Sequence, residues 1–406
     1  MRSGRNIAII AVTLIIICAC MFCTKKNSAV DSPVNVVHPQ VWHGLEAGPY
    51  AVGFTIRRFH DKSRKFAWGN EIEAVRPIQV LVWYPAMRDS NAKPLNVRDY
   101  IYSSATEIDF EAPGAKQREQ ALQVVRGIIT SEGVEPALFD KSILRTTLAV
   151  RDAVPFDGKY PLILYSPGMG ASAYQNFVAM EYLASYGFIT AAISSVGVHM
   201  REVEGSDADI ETGVQDMEFA IEQLRSFSGV DADNIGVVGY SWGGLIVMFL
   251  AMRNPGINAV VSLDGSLMVK AHYEQARALP EYDPSKINQP ALLFIANAKQ
   301  WKARTLEFYE QLQGKDIYLA WFHDCFHGDF ASTIIELVLH NLDDAGRDVT
   351  RIDTAYAWQC RYLRAFFEAY LKEKEESHRF LERTPEANNV PAGIIRGTGT
   401  HKFTPN

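Results

Sequence analysis

The segment Gly239-Tyr240-Ser241-Trp242-Gly243 sets a serine between two glycines. A valine-rich apolar run at 235–238 precedes it, and an apolar stretch continuing to about residue 253 follows. The short run reads as a buried strand and the longer one as a helix. A Gly-x-Ser-x-Gly segment joining a strand to a helix forces the serine into a tight, strained turn. Only small flanking residues fit beside it, and the strain lifts the hydroxyl clear of the sheet. The first amides of the following helix face the same spot. A serine hydroxyl attacks a carbonyl only when a base takes its proton, and that base needs an acid to hold its tautomer. The implied chemistry is acyl transfer.

Candidates for both partners lie further along the chain, each just past a run with strand character. Asp264 ends the run 259–263 and precedes Gly265, which suits the orienting acid; an aspartate there also suits a simple turn cap. Two histidines follow the run 317–322. His323 stands at its terminus, where the sheet pins a side chain, whereas His327 sits four residues on, beside Gly328, with room to swing over Ser241. His327 is therefore the expected base. His199, after the run 188–194, reads as a loop histidine near the pocket. The oxyanion of the tetrahedral intermediate needs two amide donors, each worth about 3 kcal/mol. Trp242 is one expected donor, and Met169 in Pro167-Gly168-Met169-Gly170 is the other. No Walker lysine, no Gly-x-Gly-x-x-Gly fingerprint and no Cys or His pair with metal-ligand spacing is present, so neither a cofactor nor a metal is expected.

These residues need a scaffold that brings separate strand ends together. From Tyr160 onward the pattern alternates strand and helix: strands near 161–165, 188–194, 235–238, 259–263, 291–296 and 317–322, with helices near 176–186, 214–224 and 352–374. Alternation of this kind predicts an α/β fold, a mostly parallel sheet with helices on both faces and the strand C-termini along one edge. Two earlier strands are expected at 50–58 and 77–85, joined through a charged turn at 61–65. Residues 86–158 break the strand rhythm and read as a helical insertion, amphipathic around 117–129 and again near 143–150. It either overhangs the site or pads the sheet edge.

The ends of the chain read differently. Residues 1–23 combine Arg2 and Arg5 with a short uncharged run at 7–18, the layout of a secretory signal. Ile17-Cys18-Ala19-Cys20 resembles a bacterial lipobox, which would place an acyl tether on Cys20 and the protein at a membrane surface. Residues 24–47 are expected to be a tether, 48–385 the folded domain and 386–406 a loosely held tail. Of the five cysteines only Cys325 and Cys360 lie in the domain; they either pair as a disulfide or stand as separate buried thiols. A net charge of −7 without any basic stripe argues against a nucleic-acid partner.

Taken together, the chain resembles the α/β-hydrolase superfamily, and within it the platelet-activating factor acetylhydrolase type (plasma, isoform II branch) with its bacterial relatives. The resemblance rests on Arg76-Pro-Ile-Gln-Val-Leu-Val-Trp-Tyr-Pro-Ala86, Tyr165-Ser-Pro-Gly-Met-Gly170, Gly239-Tyr-Ser-Trp-Gly-Gly244, Asp264 and His327-Gly-Asp-Phe330. It covers roughly residues 48–375. It implies a calcium-independent hydrolase of short or oxidised acyl esters, a small-molecule substrate and no cofactor. The family often has histidine where Ser166 or Pro167 stands, and Ser-Pro-Gly variants occur in cutinase-like polyesterases. A peptidase or lactone hydrolase on the same frame, and an inactive surface binding protein, are the competing expectations.

Overall fold

Strand runs that are apolar without interruption must be covered on both faces. Here every residue of β4 (Tyr160–Ser166), β5 (Ile189–Ile193), β7 (Ala259–Leu263) and β8 (Ala291–Ala296) is buried. The structure is a computed structural model and describes residues 39–68, 71–110, 114–296, 304–312, 316–342 and 347–396. Its remaining strands are β1 (Ala51–Trp68), β2 (Glu71–Ala86), β3 (Ala149–Arg151), β6 (Val230–Tyr240), β9 (Ile317–Phe322) and β10 (Ile395–Arg396). They form one sheet in the order β10-β9-β8-β7-β6-β4-β5-β2-β1-β3. Pairing from β5 through β4, β6, β7 and β8 to β9 is parallel throughout, while β1–β2, β2–β5 and β9–β10 are antiparallel.

Helices cover both faces, as the alternation required: α1 (Val97–Ile101), α2 (Ala115–Ser131), α3 (Pro136–Ser142), α4 (Phe177–Ser185), α5 (Asp207–Leu224), α6 (Trp242–Arg253), α7 (Lys270–Arg277), α8 (Glu307–Glu310), α9 (Ser332–Ile334), α10 (Val349–Leu371) and α11 (Glu375–Glu382). Successive strand residues separate cleanly between the two cores. Leu81, Trp83, Ile163 and Tyr165 join α4 and α10 on one side. Val80, Val82, Leu162 and Leu164 join α5 and α6 on the other. This is the α/β-hydrolase fold, with a helical insertion between β2 and β4.

Several expectations give way to packing. The tether begins to fold earlier than residue 48: Val41, Trp42 and Leu45 are buried, and the Trp42 indole donates to Glu181 Oε2 at 3.0 Å. The charged 61–65 segment is no hairpin turn. Strand β1 runs through it with a register shift between Asp61 and Lys65, and Asp61 gathers Ser63 N at 2.9 Å and Arg64 Nε at 2.6 Å. The second amphipathic stretch is no helix over 143–150. Helix α3 starts at Pro136, a position preset for N1, and stops by Ser142. The chain then extends because Glu181 accepts the Leu148 and Ala149 amides at 2.9 and 3.3 Å. The tail is held to residue 396, since β10 pairs with β9 and Val390, Ile394 and Ile395 are buried. The expected leader at 1–23, with Cys20, lies outside the described residues. No described helix is long and apolar enough to cross a membrane.

Glu181, fully buried on α4, ties much of this together. Besides Trp42, Leu148 and Ala149 it accepts from Tyr100 Oη at 2.6 Å. One carboxylate thus fastens the amino-terminal segment and both ends of the insertion to the sheet.

Cys325 and Cys360 do not pair; both are buried thiols. The first lies in the turn after β9, the second within α10, and each is packed into the apolar core instead. Burial pushes the Cys360 thiol up to about 12 and Cys325 in the same direction, so the nucleophilic thiolate is scarce. Iodoacetamide at pH 8 is accordingly expected to leave both untouched in the native protein and to alkylate both in guanidinium, as read from peptide masses.

Candidate active site

The turn after β6 is built by what it leaves out. Ser241 has φ 55° and ψ −119°, a conformation costly for any side-chain-bearing residue. A Cβ at Gly239 would lie 2.1 Å from Gly243 O, and one at Gly243 would lie 2.0 Å from Ser166 O. Neither overlap is tolerable, so strand, helix and the neighbouring β4 meet only because both positions are glycine. The turn is braced from the next strand as well: Ser241 N donates to Leu263 O at 3.1 Å, and Ser266 N to Ser241 O at 2.8 Å.

Asp264 follows β7, the strand paired beside β6. Its own φ is 44°, and the Ala296 amide donates to Oδ1 at 2.8 Å. His327 opens a short 3₁₀ turn after β9. The structure brings the three side chains into one line, with His327 Nε2 2.8 Å from Ser241 Oγ and His327 Nδ1 2.7 Å from Asp264 Oδ2. That arrangement suits the tautomer with its proton on Nδ1, toward the carboxylate, and its lone pair on Nε2, toward the hydroxyl.

The imidazole is held from three sides. It stacks on the Tyr240 ring at 4.8 Å and 25°, and Tyr240 Oη donates to the His327 carbonyl at 3.0 Å. Burial, then the charges of Asp264 and Asp329, raise the Tyr240 phenol, so it stays a donor. Below, Asp329 accepts the Phe326 amide at 2.8 Å and is clamped by the Arg347 guanidinium.

His323 does not line the concavity at Ser241; its backbone amide donates to Ile394 O at 2.9 Å on the β10 side. His199 is exposed and does not line the concavity at Ser241. The Trp242 and Met169 amides have no hydrogen-bond partner among the described residues. By contrast, the neighbouring Gly168 and Gly170 amides are taken by Gln175 Oε1 at 2.8 Å and Ser195 Oγ at 3.1 Å. The amides on either side of Met169 are therefore spent within the loop and its neighbours.

Two residues near the serine carried no sequence signal. Arg304 Nη2 lies 3.2 Å from Asp264 Oδ1 and its guanidinium also reaches Ala296 O, which keeps a positive charge against the buried carboxylate. His272 packs edge-on against Trp242 at 5.6 Å, and burial lowers its pKa so that it is neutral at pH 7. Both come from segments with no motif around them; only their place on the sheet edge marks them.

Two concavities matter here, and one of them contains Ser241. A small one of about 80 Å³ is lined by Ser241, Asp264, His272, Arg304 and His327. A larger one of about 620 Å³ opens beyond the loop after β4. Its floor is Gly170, Ala171 and Gln175, and its far wall is the apolar face of α2, with Val124, Val125 and Ile128. Val124 and Ile128 are 63% and 57% exposed, unusual for a helix whose apolar side should be covered. The insertion thus walls this second concavity, which shares no lining residue with the one at Ser241. Arg201 closes one end, reaching Glu107 at 2.9 Å and Ser195 O at 2.8 Å. Its loop is fixed by Arg76, fully buried, which holds Asp216 at 2.7 Å and Gly197 O at 2.8 Å.

Comparison with known proteins agrees with this architecture. The dienelactone hydrolase family model matches residues 199–342, the part containing Ser241, Asp264 and His327. A probable 2-oxo-3-(5-oxofuran-2-ylidene)propanoate lactonase from Bradyrhizobium sp is 26% identical over 171 residues, 38% of this chain and 67% of that protein. The structure of a ferulic acid esterase from Streptomyces cinnamoneus superposes with a TM-score of 0.57 at 18% identity, covering 82% of this chain and 93% of that one.

Replacing Gly243 by alanine tests the steric reading of the turn. The added methyl meets backbone, which cannot swing away, so Gly243→Ala is expected to cost about 3 kcal/mol or more. The guanidinium midpoint should fall accordingly, whereas Gly127→Ala, with open space around it on α2, should leave it unchanged or raised.

Proposed function

We propose that this α/β-hydrolase-fold protein is a serine carboxylic ester hydrolase acting through an acyl-enzyme. The single observation that supports the reading most is the unbroken hydrogen-bonded line from Ser241 through His327 to Asp264. In this mechanism Ser241 Oγ attacks the ester carbonyl while His327 Nε2 takes its proton. Asp264 holds the imidazole in register and balances the imidazolium that forms. In this reading the tetrahedral oxyanion is received by the amides of Trp242 and Met169, which have no other partner among the described residues. His327 then returns the proton to the departing alcohol, and water repeats the sequence to release the acid.

We further propose that the larger concavity receives the substrate's acyl or alcohol group. At about 620 Å³ with an apolar helix face as one wall, it suits an acyl or alcohol group well beyond acetyl. Esters with short or lipid-type acyl chains, of the platelet-activating factor type, fit this reading. A lactone is the second reading, and the match to the dienelactone hydrolase family over 199–342 favours it. For the setting we adopt export with a lipid tether on Cys20, as the pattern of residues 1–23 suggests.

Ser241→Ala is expected to abolish p-nitrophenyl acetate hydrolysis and fluorophosphonate labelling while leaving the circular dichroism spectrum unchanged. His327→Ala should reduce kcat by at least about 10³-fold, and His323→Ala by less than tenfold. Retained turnover in the serine variant, or the opposite ranking of the histidines, refutes the assignment. Measuring esters and lactones side by side separates the two substrate readings.

Ile128→Trp narrows the large concavity without touching the hydroxyl. It should lower kcat/KM for decanoyl or longer esters at least tenfold and leave acetyl esters within about twofold, if the acyl chain lies along α2.

A further inference from the structure

A second group of chemistry-bearing side chains lies away from Ser241. His43, in the amino-terminal segment, meets His340 and Asp353, each offering a donor atom within 4.8 Å of the others. His340 Nε2 is 2.7 Å from Asp353 Oδ1 and His43 Nδ1 is 3.3 Å from Asp353 Oδ2. The two rings stand at 68° with centroids 4.3 Å apart. Two imidazole nitrogens and a carboxylate oxygen converging this way make a common ligand set for a divalent first-row ion. Ligand atoms in a tetrahedral site with bonds of about 2.0–2.2 Å stand roughly 3.3 Å apart; the His43–Asp353 pair already has that spacing, and the His340–Asp353 pair at 2.7 Å must open to admit an ion.

What distinguishes this from an ordinary ion-pair patch is the arrangement behind the ligands. Glu336, whose side chain is 2% exposed, stands behind both rings: Oε1 is 2.5 Å from His43 Nε2, a hydrogen bond, and Oε2 is 3.6 Å from His340 Nδ1, an ion-pair distance only. Arg145 Nη1 neutralises the same carboxylate at 2.9 Å and lies 3.3 Å from His340 Nδ1, on the side turned away from Asp353. A buried carboxylate behind the imidazoles fixes tautomer and ring direction in metal sites, and here it leaves the front nitrogens of both rings facing Asp353.

The backbone on both sides is bent to serve the same point. His43 has φ 38°, a conformation a histidine adopts only at a cost. It is held there by buried Trp42 ahead and by Gly44 behind, whose carbonyl accepts from Arg361 at 3.0 Å. Glu336 lies in a π-helical turn, Ile335–Leu339, and His340 caps it; such a distortion recurs at functional sites.

We infer that His43, His340 and Asp353 form a site for a divalent first-row transition ion such as Zn²⁺, with Glu336 orienting both imidazoles and a fourth position left for water. The ion would pin the amino-terminal segment to the turn that carries Leu337, part of the wall of the larger concavity. This does not depend on the ester-hydrolase reading.

Zn²⁺ titrated calorimetrically into the EDTA-treated full chain at pH 7.5 should bind one equivalent with a micromolar or tighter Kd and raise Tm. Co²⁺ should give the visible bands of a four-coordinate nitrogen and oxygen site. H43Q and D353N should each weaken binding at least tenfold, and H327Q, at the other histidine cluster, should bind as the parent does. In the unmodified protein, Zn²⁺ should protect His43 from diethyl pyrocarbonate, read by peptide mass, which needs no variant to fold. The inference is overturned if Zn²⁺ produces neither heat nor a Tm shift, if H43Q and D353N bind as tightly as the parent, or if His43 is modified equally with and without the ion.

Discussion

A clash that never occurs governs this molecule. Between β6 and α6 the chain reverses so tightly that any side chain at position 239 or 243 would overlap a backbone atom within about 2 Å. Ser241, in between, carries the residual strain in its positive φ. Because the turn packs against Ser166 of β4 and hydrogen-bonds to Leu263 of β7, its position is dictated by the neighbouring strands. The serine is consequently fixed against both neighbouring strands before any ligand arrives.

Around that fixed point the sheet supplies reach. Parallel pairing from β4 to β9 places successive strand ends along one edge, so residues separated by 63 and 86 positions stand within hydrogen-bond distance. The histidine is the mobile-looking member, yet its loop is clamped by Tyr240 above and by Asp329 with Arg347 below. Pre-positioning of this kind avoids an ordering cost at the moment of reaction.

The insertion between β2 and β4 does a separate job. Its attachment is polar and buried, through Glu181, while the helix face over the large concavity is apolar and left open. A rigid anchor with an uncovered apolar wall is an arrangement for receiving a ligand's apolar part. The amino-terminal segment is tied down separately, through Trp42 to Glu181 and through His43 to Glu336.

Sequence alone determined the alternation of strand and helix, the glycine-serine turn, and the choice of His327 over His323, because each is local: an apolar period, a pair of missing side chains, a loop against a strand end. It also marked Met169, whose glycine neighbours betray a turning backbone. Tertiary structure decided what depends on partners far away in the chain. Residues 39–47 and 386–396 look like polar ends until Trp42 meets Glu181 and β10 meets β9. Residues 143–150 look helical until the Leu148 and Ala149 amides are claimed by the same glutamate, and the two thiols are compatible with pairing until the core holds them apart. Arg304 and His272 beside the serine, and the meeting of His43 with His340 and Asp353, leave no periodic trace, since a contact between distant residues costs loop entropy and is repaid only once the whole sheet has closed.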